Sequence, residues 1–219
     1  IHHKKHYHLV FKEVCQPIHN LKRLDIMFKT LMDVHKALEL LHSIGWVHCD
    51  ISTGKVLCWG KMGKLGDLEH AKSMDSNMTH EVHAFIDMLK GMMEFMASKV
   101  EAQKYLFQRH TDELFTPVEC LFNFNPLHDM ESLWWIAMWI LYYHVDQKGG
   151  WPSSEQITEF YELFPGRFKS RCFMMFCDPL NISKTALFLQ NVFTHHTTTF
   201  ASIIMRIGLE GVTYILIAP

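Results

Sequence analysis

The residues best placed to do chemistry are two carboxylates, Asp50 and Asp67, in the stretch from Trp46 to Glu69. Trp46-Val47 and Val56-Leu57-Cys58-Trp59 have the β-branched and aromatic content of short strands, and the residues between them read as a loop. A Gly60-Lys61-Met62-Gly63 turn then leads into Lys64-Leu65-Gly66-Asp67-Leu68-Glu69. Asp50 and Asp67 thus stand where the chain changes direction, on adjacent loops. A general base and a metal ligand require such a pair, one carboxylate to take or orient a proton and the other to hold a cation. Although they are seventeen positions apart, the reversal at Gly60 to Gly63 predicts that both point into one shallow groove.

Other residues with chemical potential fit patterns less well. The chain has sixteen His, with clusters at His2-His3-Lys4-Lys5-His6, His80-x-x-His83 and His195-His196, but none has the spacing of a metal centre. Six Cys (15, 49, 58, 120, 172 and 177) are scattered without a CxxC pair, which predicts reduced thiols in an intracellular protein, cytoplasmic or nuclear. A net charge of -2 gives no electrostatic reason for nucleic acid or an anionic membrane as partner.

The elements that must position the carboxylates are mostly helical. Leu24, Phe28, Leu31, Val34, Leu38 and Leu41 recur at steps of four and three, which predicts an amphipathic helix over Leu24 to Ile44 with Gly45 as its left-handed stop. The stretch His128 to Asp146 is apolar all round from Leu133 to Val145, save His144, and predicts a buried central helix. Its dozen or so apolar residues span about 20 Å, short of the roughly 30 Å of a bilayer core. Asp129 is the candidate cap of this helix and Glu131 an acid in its first turn. Upstream, Leu9 to Val14 suits a strand running into a connector at Cys15-Gln16-Pro17. Downstream, Ser154 to Phe164 and Asn181 to Phe193 have helical spacing, and the apolar tail from Phe200 to Pro219 fits either a buried element or an extended end.

The spacing around the two acids resembles the protein kinase catalytic loop followed by its metal-binding segment. The pattern H-R-D-x-x-x-x-N stands here as His48-Cys49-Asp50-x-x-x-x-Lys55, with Asp67-Leu68-Glu69 where D-F-G is expected. More narrowly, Asp50-Ile51-Ser52, Gly54, Gly66-Asp67-Leu68-Glu69, Phe95-Met96-Ala97 and His128-Asp129-Met130-Glu131-Ser132 follow in the order of the fungal-type protein kinase family. This resemblance covers roughly residues 9 to 150.

The resemblance implies a mainly helical α+β fold, the C-terminal lobe of a protein kinase with a small β-hairpin at the catalytic loop. Residues 1-16 would be a remnant of the other lobe and hinge, 17-199 the lobe itself and 200-219 the tail. It implies ATP and Mg²⁺ as cofactors, with binding weak or absent in this chain, and a protein substrate or regulatory protein as partner. Asp50 would accept or orient the substrate hydroxyl proton, His48 would brace the loop, and Asp67 would hold Mg²⁺. Glu13, Cys15, Lys55 and Leu57 would line the nucleotide site, with Glu13 to Gln16 as hinge. Asp129 would cap the central helix and hydrogen-bond the backbone of the catalytic loop.

Departures from the family pattern shape the functional expectation. Lys55 stands where the family has its second metal ligand, and an ammonium has no lone pair to donate. At about 4 Å and an effective dielectric near 20, that charge and a divalent ion repel by roughly 8 kcal/mol. Cys49 replaces the loop arginine, and Lys99 stands where A-P-E has its glutamate. No G-x-G-x-x-G exists among the eleven Gly, and only about ten residues precede the hinge, so the small lobe is expected to lie outside this chain. The two functions that follow are ATP-dependent phosphorylation of protein Ser/Thr hydroxyls, with this chain incomplete or inactive, and a catalytically silent module that binds proteins.

Overall fold

A computed structural model describes residues 10–74, 94–98, 100, 124–143, 153–164 and 171. The expectations for Asn181 to Phe193, Lys99 and the tail lie outside the described residues, as does most of the segment between Ser73 and Gly91. Within them the protein is α+β, three α-helices with two small antiparallel sheets.

The chain enters through β1 (Gln16–Pro17), passes a single 3-10 turn at Ile18–Asn20, and begins α1 at Leu24–Ser43. The expected strand over Leu9 to Val14 does not form in its described part. Val10, Phe11 and Val14 are largely exposed, and pairing begins only at Gln16, opposite Cys58. Apolar β-formers without a partner strand give no ladder, and the sheet takes the two residues that reach one. Pro17 is tolerated there because β1 is an edge strand.

The α1 sequence has neither Gly nor Pro, and it buries one stripe: Met27, Phe28, Thr30, Leu31, Val34 and Leu38. Leu24 and Leu41 pack half-buried at the ends of that stripe. Gly45, at φ 80°, stops the helix, its N–H donating 3.0 Å to the His42 carbonyl.

The stripe faces α2 (Pro126–Tyr143), in which Leu133 to Met138 and Ile140 to Tyr142 are all buried. Each large apolar side chain so buried contributes about 1.5–3 kcal/mol, which makes α2 the principal source of the core's stability. Its cap differs from the expected one. Pro126 occupies the first position, where a missing N–H costs nothing, and the Asn125 side chain accepts from Leu127 N at 3.0 Å. Asp129 lies inside the first turn, so its carboxylate is available for other partners. The third helix, α3 (Ser154–Leu163), is capped by Ser153, which accepts from Gln156 N at 3.1 Å. Gln156 Nε2 in turn donates 2.7 Å to the Tyr142 carbonyl, closing the C-terminal end of α2 against α3.

Two strand pairings bracket the loop that carries Asp50. Before it, β2 (Trp46–Val47) pairs with β5 (Lys72–Ser73). After it, β3 (Val56–Trp59) pairs with β4 (Met62–Leu65) as a hairpin whose connection is Gly60-Lys61 alone. Met62 and Gly63, expected in the turn, belong to the strand. Gly63 is needed for packing: a Cβ there would sit 2.4 Å from the Thr30 carbonyl oxygen and 2.9 Å from Asp33 Cβ, so the hairpin touches the α1 backbone. No helix among the described residues is long and apolar enough to cross a membrane.

Candidate functional site

Because β2 pairs with β5 and β3 with β4, the chain on either side of the loop is tied to the chain on either side of Asp67. The hairpin ladder extends one step further, with Gly66 N donating 2.9 Å to the Lys55 carbonyl. Asp50 and Asp67 are thereby brought together.

The loop itself hangs from α2. The Asp129 carboxylate accepts from His48 N at 2.7 Å and Cys49 N at 2.9 Å, and His42 Nε2 at the end of α1 lies 2.9 Å from it. One buried carboxylate therefore joins both core helices to the loop, and the hydrogen bonds to its charge are of the stronger kind. The His48 side chain is fully buried and reaches across to the Gly66 carbonyl, 3.0 Å from Nε2, while Asp50 N lies 3.3 Å from Nδ1. Burial depresses the His48 pKa, and the nearby Asp129 carboxylate only partly offsets it, so the ring is neutral near pH 7.

Cys49 and Asp67, with φ of 66° and 63°, adopt the left-handed region. Non-glycine residues enter it at a cost, and these two are the only described examples, one on each arm of the site. The Cys49 thiol packs against the cluster of Met96, Ala97, Val100 and Phe124. Burial, with the Asp129 carboxylate beside it, pushes its pKa far up, so it behaves as an apolar filler and not a nucleophile.

Lys55 turns inward. Its Nζ is in direct contact with Asp50 Oδ2 and lies 3.3 Å from Asp67 Oδ2. The Asp50 side chain is only 4% exposed and that of Asp67 46%, so the ammonium bridges a buried acid and a half-open one. Burial alone would raise the Asp67 carboxyl; Lys55 and the Glu69 N–H outweigh it and hold the group below the usual carboxylate range. His70 Nε2 lies 3.7 Å from Asp50 Oδ2. Two carboxylates thus face one ammonium, with His48 neutral and the His70 ring beside Asp50.

The remaining expected site residues lie along the hairpin. Leu57 is opposite Pro17 on one side and Lys64 on the other, so these three share one sheet face. Glu13 Oε1 accepts from Lys64 Nζ at 3.1 Å at the same face. Cys15 is a half-buried free thiol just before β1. Glu13 and Leu57 are thus joined through Lys64, whereas Lys55 belongs with the acids. Behind the loop, a cavity of about 20 Å³ lined by Asp50, Met96, Phe124 and Ser132 has room for one water molecule and not for a substrate.

Magnesium suits this arrangement poorly. A hard divalent ion needs several oxygen ligands at close to 2 Å, and the oxygens that converge here already meet an ammonium. Among the described residues no group of three or more His, Cys, Asp or Glu could hold a metal.

For several supporting residues the sequence does not announce the partner. His42 belongs to a helix whose period describes only its apolar face, and its partner is 87 positions away. Glu131, read as an acid for the helix dipole, is buried and accepts from Ser98 N at 2.6 Å and Trp135 Nε1 at 3.2 Å. The buried Arg171 donates 2.6 Å to the Met96 carbonyl and stacks 4.2 Å over the Trp135 ring. Together they tie the Phe95-Met96-Ala97 segment to α2.

A family model described as fungal protein kinase matches residues 1–141. No curated protein matches the chain.

Proposed function

The chain belongs to the fungal protein kinase family, and from that premise we propose that it is a kinase-like domain whose own lysine occupies the cation position of the phosphoryl-transfer site. The family activity is transfer of the ATP γ-phosphoryl group to protein Ser/Thr hydroxyls, in which Asp50 would orient the hydroxyl, Asp67 would hold Mg²⁺ and His48 would brace the loop. The geometry around these residues supports that reading. The Asp129 clamp, the neutral His48 bridge to Gly66 and the two strand pairings all serve to hold Asp50 near Asp67.

One observation carries the conclusion: Lys55 Nζ touches Asp50 and sits 3.3 Å from Asp67. Catalysis of phosphoryl transfer is positioning plus charge stabilisation by metal, and a fixed ammonium supplies one positive charge where two are needed, without ligating anything. A bare triphosphate fares no better, because it would meet two carboxylates beside an ammonium already held by both. The domain in this form is catalytically silent and acts as a protein-binding module of its family.

Calorimetry with ATP, with and without Mg²⁺, tests this on the chain and on Lys55→Asn. Mg²⁺ is expected to leave ATP affinity unchanged in the parent and to raise it in the variant. Equal Mg²⁺-dependent tightening in both proteins would refute the proposal.

A further inference from the structure

Where the β3–β4 connection runs beside α1, the two border an open groove of about 730 Å³, lined by Lys29, Asp33, Lys36, Trp59, Lys61 and Met62 with Gly60. Its volume is within the roughly 300–1,000 Å³ of ligand-binding clefts. Two features make it unlike ordinary surface. First, Trp59 and Met62, opposite each other across the hairpin, are 45% and 52% exposed, a large apolar pair left in water. Lys64 Nζ stands 5.1 Å from the centre of the Trp59 ring and anchors the indole without covering it.

Second, the charge is one-sided. Lys29, Asp33 and Lys36 share one face of α1, being four and three residues apart. Asp33 is the single acid of the lining, and its charge is used internally: Oδ2 accepts from Gly63 N at 2.9 Å and from Lys29 Nζ at 2.8 Å. Although burial raises its pKa, the Gly63 N–H and the Lys29 and Lys36 ammonium groups outweigh it and keep the carboxyl below the usual range, so it is ionised and committed. Lys36 and Lys61 are exposed, and among the described residues neither closes an ion pair, Lys36 acting on Asp33 only at longer range. Two exposed ammonium groups thus flank an exposed indole and thioether.

We propose that this groove docks an acidic peptide segment carrying a bulky apolar residue between its carboxylates. The apolar side chain covers Trp59 and Met62, and the flanking carboxylates meet Lys36 and Lys61. Each half supplies what the other lacks, since exposed ion pairs alone contribute little and an aromatic anchor desolvated at the centre contributes most. A polyanion is the weaker fit: two exposed lysines neutralise few phosphates, and the chain as a whole carries a net charge of -2. This inference stands on the groove alone and is independent of the state of the Lys55 cluster.

The test is fluorescence anisotropy of the full chain with a labelled hexapeptide of four glutamates around two central leucines. Controls are the same peptide with serines for leucines, a DNA duplex, and phosphatidylserine vesicles. The leucine peptide is expected to bind, to weaken roughly ten-fold in the Lys36→Glu, Lys61→Glu double variant and in Trp59→Ser, and to weaken as salt rises. All three substitutions lie at exposed positions, and thermal melts check that the variants fold. The proposal is overturned if the serine peptide binds as well as the leucine peptide, if folded variants bind like the parent, or if DNA or vesicles bind more tightly than the peptide.

Discussion

At position 55 the difference between an amide and an ammonium is one unit of charge and the loss of a lone pair, and both act on the same two neighbours. Asp50, almost fully enclosed, needs a cation beside it or the cost of its buried charge is uncompensated. Lys55 supplies it. The two acids and the substitution were legible in the spacing of the loop, but the direction of the lysine was not. A lysine has a long stem that can turn outward as easily as inward, and its orientation depends on how near Asp67 is brought by the strands. His48 and Asp67 give this cluster a defined pH dependence. The His48 pKa is lowered by burial, so below its unfolded value near 6.5 the unfolded chain takes up a proton that the native protein refuses. Stability present above about pH 6.5 is therefore lost as pH falls towards the lower folded value. Asp67, also depressed, loses its contribution only below the unfolded carboxylate value near 3.9. Melting temperature should fall between pH 7 and 5, and less steeply in His48→Gln, whose amide can still reach the Gly66 carbonyl. An identical slope in both proteins would assign the effect to other groups.

Among the elements, the two long helices were legible because periodicity reports burial directly, on one face in α1 and on all faces in α2. The short strands were legible in place but not in extent. Leu9 to Val14 has strand composition, yet composition is silent about whether a partner lies alongside, and the chain pairs at Gln16–Pro17 instead. The cap of α2 is Asn125 because Pro126 already opens the helix, while Asp129, one turn inside, bonds the loop backbone, a partner that the family resemblance implies and the local pattern does not show. Gly63 teaches the same lesson. Read locally it belongs to a turn, whereas its function is to let β4 lie against the α1 backbone with Asp33 holding its N–H. Gly63→Ala is expected to destabilise by about 1–3 kcal/mol, the range for overpacking against atoms that cannot move aside. Chemical denaturation measures it. A variant within about 0.5 kcal/mol of the parent, the range of an ordinary surface change, would show that the hairpin is not pressed against the helix.

At the scale of the molecule, the core and the site are one construction. Asp129 joins α1, the loop and α2; Glu131 and Arg171 join α2 to the segment at Met96; Gln156 joins α2 to α3. These ties span tens of residues and were beyond any single-window pattern, while the order of the family motifs, which the match over residues 1–141 reflects, was visible along the chain. The result is a scaffold that holds two carboxylates together and sets one of its own ammonium groups between them. The most direct measurement is a titration with Mn²⁺, followed by the paramagnetic resonance of the free ion, on the parent chain and on Lys55→Asn. The parent is predicted to leave the free-ion signal undiminished at the site, and the variant, with the Asp67 carboxylate freed and an amide oxygen introduced beside it, to take up the metal. Uptake by the parent equal to that of the variant, abolished in both by Asp67→Ala, would contradict the account.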